Sequence, residues 1–117
     1  MISLSKDDIT RILLDAGAPL DTASNVISYM QKNRHIWEAY QKYCLKIVSQ
    51  GARRIGSKAI IELLRYNESG GDWDKYEDYK INNNYASYFS RIFIEKYPEH
   101  KNLFSFRAIS GLKNNDE

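Results

Sequence analysis

Side chains able to do acid–base or nucleophilic chemistry are sparse in this chain. His35 and His100 lie far apart in sequence, Cys44 is the single thiol, and no Ser, Cys or Asp sits in a recognised nucleophile motif. The carboxylates Asp72, Asp74, Glu77 and Asp78 superficially resemble a cation-binding loop, but the Gly and the terminal Glu of a calcium loop are not at the required offsets. No enzyme activity, metal or cofactor is therefore expected. Cys44 stands among Tyr43, Leu45, Ile47 and Val48, the setting of a buried apolar thiol rather than a redox centre.

Binding chemistry is better represented, because the charge is unevenly distributed. The net formal charge is only +2, yet residues 34–66 hold seven basic against two acidic side chains, and residues 67–79 hold one against five. In the basic segment Arg53 and Arg54 lie on a tight connector, with Lys58 and Arg65 on what should be the outer face of the following helix. Four cations beside a helix start are an arrangement that can straddle the phosphates of duplex DNA. The plainer alternative is that Arg53 and Arg54 solubilise a loop.

Asn82, Asn83 and Asn84 open a later helix whose outer side is expected to show Ser87, Ser90 and Arg91. An Asn at a helix N-terminus can read an adenine edge in the major groove, as helix-turn-helix proteins do. Capping accounts for at least one of the three. In the acidic segment, Trp73 sits among Asp72, Asp74, Glu77 and Asp78. It is read first as folding back onto the protein's own core, and otherwise as an aromatic anchor for a basic host protein.

The elements that must position these residues are helices. Ile9, Ile12 and Leu13 recur at helical spacing after Ser5, predicting a helix from about residue 6 to Ala16, which Gly17 stops. Asp21 is expected to cap a second helix with the stripe Ala23, Val26, Ile27 and Met30, so that residues 1–33 make a helical hairpin. After the polar stretch Gln31 to Arg34, the residues Ile36, Trp37, Tyr40, Cys44, Ile47 and Val48 line one face of a third helix, with Gly51 just past its end. Ser57 is the expected cap of a shorter fourth helix with Ala59, Ile60, Leu63 and Leu64 inward and Lys58, Glu62 and Arg65 outward.

The run from Asn67 to Asp78 has turn chemistry and no clear period, which predicts a mobile surface loop. Tyr79-Lys80-Ile81 reads as a brief extended piece. Tyr85, Tyr88, Phe89, Ile92 and Phe93 then cover the inner face of a helix ended by Pro98. Leu103, Phe104 and Phe106 are expected to pack on the core, in a helical core of residues 34–110 followed by a frayed tail, 111–117.

Two segments also resemble known sequences. Gly51-Ala52-Arg53-Arg54-Ile55-Gly56-Ser57-Lys58-Ala59-Ile60-Ile61-Glu62 and Lys80-Ile81-Asn82-Asn83-Asn84-Tyr85-Ala86-Ser87-Tyr88-Phe89-Ser90-Arg91, with Tyr97-Pro98-Glu99 and Phe104 before Arg107, look like a group of small uncharacterised phage and prophage proteins. The resemblance covers roughly residues 36–107, and Ser87 stands where the pattern has Pro. It implies a phage-associated origin and carries over no activity and no catalytic residue.

Together these readings predict one mainly α domain of 117 residues with a helix-turn-helix-like core and an N-terminal helical hairpin. The lone cysteine suits a reducing cytoplasm, and no signal-peptide pattern or run of about 18 apolar residues points to a membrane. The first functional expectation is a phage-associated protein that binds duplex DNA. The alternative is a phage-encoded module that inhibits or modulates a host protein through its acidic loop.

Overall fold

The computed structural model describes residues 2–79, 81 and 83–104, and of Asn83 only the backbone. Among the described residues the regular elements are helices: α1 (Lys6–Asp15), α2 (Leu20–Lys32), α3 (Arg34–Ser49), α4 (Ser57–Ser69), α5 (Trp73–Asp78) and α6 (Asn83–Lys96), followed by a 3₁₀ turn, Pro98–His100. Local chemistry explains most boundaries. Ser5 and Asp8 form a reciprocal capping box at the start of α1, each side chain accepting from the other's backbone amide, at 3.1 and 2.9 Å. Gly17 and Gly51 end α1 and α3 at φ of 100° and 98°, a region costly for any residue with a Cβ.

Several boundaries differ from those expected. α2 begins at Leu20, because Pro19 is extended (φ −62°, ψ 156°) and itself precedes the first turn. Asp21 lies inside that turn, where its carboxylate accepts from the Thr22 amide. The polar stretch Gln31 to Arg34 interrupts the helices at one residue only: Asn33 ends α2 and precedes α3, its side-chain amide donating to the Tyr29 carbonyl at 3.1 Å. Gly56, not Ser57, precedes α4, and the Ser57 hydroxyl is engaged elsewhere. Ala59 faces outward, while Ile61 joins Ile60 and Leu64 in the core.

The largest departure is the segment read as a loop. α4 continues through Tyr66, Asn67, Glu68 and Ser69 because its last turn is fastened to α3. The Glu68 carboxylate accepts from the Tyr43 hydroxyl at 2.7 Å and from the Lys42 ammonium at 3.1 Å. Gly70 and Gly71 then take left-handed conformations in succession (φ 64° and 89°), which reverses the chain in two residues. Asp72 caps α5 by accepting from the amides of Asp74 and Lys75 at 2.9 and 3.3 Å. Gly-Gly-Asp is thus a helix-to-helix corner.

One core serves the described chain. Phe89 of α6 is fully buried beneath the rings of Tyr29, Trp37, Tyr40 and Tyr85, with centroid separations of 5.3–6.5 Å. α6 packs against α1, α3, α4 and the 3₁₀ turn, so the N-terminal hairpin completes the same core, contributing Ile12, Leu13, Ala23, Val26 and Met30. Trp37 and Ile47 are half-buried at its margin, and Leu103 and Phe104 close it as expected. Lys80, Asn82, Phe106 and the tail lie outside the described residues.

Polar bonds within this core orient the helices. Ser57 Oγ donates to the Ala86 carbonyl of α6, which leaves Ser57 as acceptor for the Tyr40 hydroxyl of α3 at 2.6 Å. Burial raises the Tyr40 phenol well above its ordinary value, so it remains a donor.

Glu68 gives the fold a pH dependence. Its hydrogen bond from Tyr43, and then that from Lys42, lower its pKa from the ordinary 4.5. Burial and then the Glu68 hydrogen bond push the Tyr43 phenol up to about 12. A depressed carboxylate contributes stability that is present above its unfolded-state pKa and lost as pH falls through the folded-state value. Urea unfolding between about pH 6 and pH 3 is expected to show a smaller acid-induced loss of stability in Glu68→Gln than in the parent chain. Equal losses remove Glu68 from the acid response.

Candidate protein-docking corner

The residues expected to contact DNA are distributed over three environments. Arg53, Arg54 and Lys58 are exposed on the connector and the first turn of α4, and that connector is held down by the Ile55 amide donating to the Leu103 carbonyl at 2.9 Å. The Ser57–Ala86 hydrogen bond brings this end of α4 beside the first half of α6, where Asn84 is exposed. Asn82 and the side chain of Asn83 lie outside the described residues.

The outer face assigned to α6 needs correction. Ser90 is 2% exposed and donates to the Ser87 carbonyl, while Ser87 and Arg91 are half-buried. Burial lowers the pKa of Arg91 from its ordinary value. Helices on several sides of α6 account for this: the small Ser90 side chain sits where neighbours approach closely, with its hydroxyl satisfied within its own helix. The connection from α4 to α6 contains α5, where a helix-turn-helix would have a turn of three or four residues.

Arg65 is also displaced from the expected site. Its side chain is 11% exposed and clamps α5 onto α4. Nε and Nη2 donate to the Tyr76 carbonyl at 3.3 and 3.1 Å, and the guanidinium carbon lies 4.0 Å from the centre of the Tyr76 ring. Glu62 and Glu77 flank the same guanidinium at 3.5 and 3.9 Å. The Tyr76 hydroxyl donates to Glu62, and this bond is the main cause of the raised Tyr76 pKa. Periodicity placed Arg65 on the outer face of α4, but α5 covers that part of the face.

The acidic set, by contrast, converges. Asp72, Asp74, Glu77 and Asp78 all lie exposed on or beside α5, with Lys75 the one cation among them. Trp73 does not fold back onto the core: it is 74% exposed, the most exposed large hydrophobic side chain described. Its ring meets Tyr76 edge to face, with centroids 5.3 Å apart and planes at 74°. The short α5 carries no buried residue of its own, so the core offers the indole no place. Tyr66, on α4, is 66% exposed.

Tyr76 and Glu62 were not singled out from sequence, although Tyr76 stands three residues after Trp73. That spacing becomes informative only when the segment is helical.

Catalytic geometry is not assembled from the remaining candidates. The His35 ring lies edge-on to Tyr79 at 6.0 Å, and the His100 ring stacks at 6.4 Å from those of Phe93 and Tyr97. Burial pushes the Cys44 thiol up to about 12, far from thiolate chemistry at neutral pH. Among the described residues no group of three His, Cys, Asp or Glu is placed to hold a metal ion, and no helix is long and apolar enough to cross a membrane. No protein family, curated protein or solved structure matches the chain.

Arg65→Ala removes the ring contact, two donated hydrogen bonds and both carboxylate contacts together. It is expected to cost about 1–3 kcal/mol in chemical denaturation and to speed amide hydrogen exchange across α5 while leaving α1 and α2 unchanged. Unaltered exchange in α5 refutes the clamp.

Proposed function

We propose that this chain is a phage-associated protein-interaction module that binds a basic surface of a host protein through the α4–α5 corner. The observation that carries this reading is Trp73, 74% exposed on a helix that is capped by Asp72 and clamped by Arg65. A large aromatic ring on an ordered element supplies contact area at little ordering cost, and Trp is enriched among side chains that dominate interface energies. Asp72, Asp74 and Asp78 beside Trp73, which form no ion pair among the described residues, attract a basic partner and raise its encounter rate. The phage origin rests on the resemblance of residues 36–107.

Trp73→Ala is expected to leave stability within about 0.5 kcal/mol of the parent and to abolish capture of a host protein from nuclease-treated lysate. Lost stability with retained capture overturns the reading.

Nucleic-acid backbone binding is favoured by a different observation. Arg53, Arg54 and Lys58 are exposed around the start of α4, whose Ser57 bonds to the Ala86 carbonyl of α6, the helix that also carries the exposed Asn84. In this reading the cations hold phosphates, and affinity for a short DNA duplex falls steeply with salt. In fluorescence anisotropy at low salt, replacing Arg53 and Arg54 by Ala weakens duplex binding and flattens its salt dependence by about two phosphate contacts. Equal binding by the double variant rejects it.

A further inference from the structure

The corner carries two aromatic rings one helical turn apart, and a cation from within the chain covers only one of them. α5 presents aromatic residues at positions 73 and 76, one helical turn apart, with Asp74, Glu77 and Asp78 interleaved. At Tyr76 the ring face is covered by a guanidinium, that of Arg65 at 4.0 Å, held between the carboxylates of Glu62 and Glu77. At Trp73 the ring is wider, more electron-rich and open to solvent, and the carboxylates of Asp74 and Asp78 form no ion pair among the described residues. Lys75 does not supply the missing cation: among the described residues it forms no cation–ring contact with Trp73.

Resting on the docking reading above, we infer that Trp73 is the receptor for an arginine side chain of the partner, taken by the indole face as Tyr76 takes Arg65. Charge and ring chemistry select the occupant. An anionic or purely apolar side chain placed there would meet the carboxylates of Asp72, Asp74 and Asp78, none of which forms an ion pair among the described residues, whereas a cation gains from both the ring quadrupole and the acids. Arginine is favoured over lysine because the guanidinium is planar, less strongly hydrated and able to stack on the indole while its N–H groups stay available to a neighbouring carboxylate. The filled position differs in one respect. Arg65 is nearly buried and holds structure, while an arginine at Trp73 arrives from solvent and can leave.

The test uses the full chain and three fluorescein-labelled short peptides alternating Gly with Arg, with Lys, or with the neutral isostere citrulline, read by fluorescence anisotropy at low salt. The arginine peptide is expected to bind at least roughly threefold more tightly than the lysine peptide, and the citrulline peptide not to bind. Trp73→Phe, which keeps an aromatic face, is expected to retain the arginine preference. Trp73→Leu, apolar without the ring, loses it, and replacing Asp74 and Asp78 by Asn weakens both cationic peptides. Circular dichroism checks that each variant is folded.

Equal affinity for the arginine and lysine peptides, an arginine preference that survives in Trp73→Leu, or no binding of the arginine peptide overturns the inference. Its failure is separable from that of the docking reading. Loss of host-protein capture in Trp73→Ala, with no arginine preference in the peptides, leaves docking standing and removes the arginine. An arginine preference that depends on Trp73, with capture unaffected by Trp73→Ala, keeps the arginine site and removes it from the host interface.

Discussion

The arrangement of the helices depends on one half-buried hydroxyl, that of Ser57. Ser57 accepts a hydrogen bond from the Tyr40 hydroxyl of α3 and donates one to the Ala86 carbonyl of α6, so three helices are tied at a single oxygen with a fixed donor order. Tyr40 is wholly buried and its phenol is shifted far from ionisation, so the relay runs in one direction. In a medium of low polarity such a chain is strengthened by mutual polarisation, and any member left without its partner bears the full cost of desolvation. α4 starts without a side-chain cap because the residue before its first turn is Gly56, which has no side chain to offer, while the Ser57 hydroxyl is held by Tyr40 and Ala86.

A second junction, at Arg65, decides what the molecule shows to its surroundings. The sequence is basic from residue 34 to 66 and acidic from 67 to 79, and Arg65 sits at the boundary. By turning its guanidinium onto the Tyr76 carbonyl and ring, it joins the basic segment to the acidic one and removes a positive charge from the surface. The outer side of α5 keeps its negative character, and an exposed indole is held on an ordered helix that has no apolar face of its own. Two surfaces of opposite sign remain, the cations near the start of α4 and the acids beyond its end.

Much of the fold was legible along the chain. Apolar residues at spacings of three and four located α1, α2, α3 and α6, and the glycines that end α1 and α3 stand where a left-handed residue is required. The acidic residues of the candidate corner were legible too, since composition alone sets them apart. Less legible was the order of their segment. Asn, Glu, Ser, Gly, Gly and Asp read as turn formers, and so they are at residues 70–72; but Asp72 caps a helix, and the residues before Gly70 extend one. Turn propensity marks where a chain reverses without saying how much regular structure flanks the reversal.

By itself, then, the sequence determined the helical class, the inner faces of the longer helices and the sign of charge along each stretch. All three follow from residue type at short separations. Tertiary structure decided which polar groups remained available. Ser90 and Arg65 have the composition of surface residues, yet one is buried against neighbouring helices and the other is enclosed by a carbonyl, a ring and two carboxylates brought from residues 62, 76 and 77. Trp73 has the composition of a core residue and stands in solvent. Periodicity records the preference of a side chain for water or oil; whether the preference is met depends on partners distant in sequence, and those are chosen only when the helices pack.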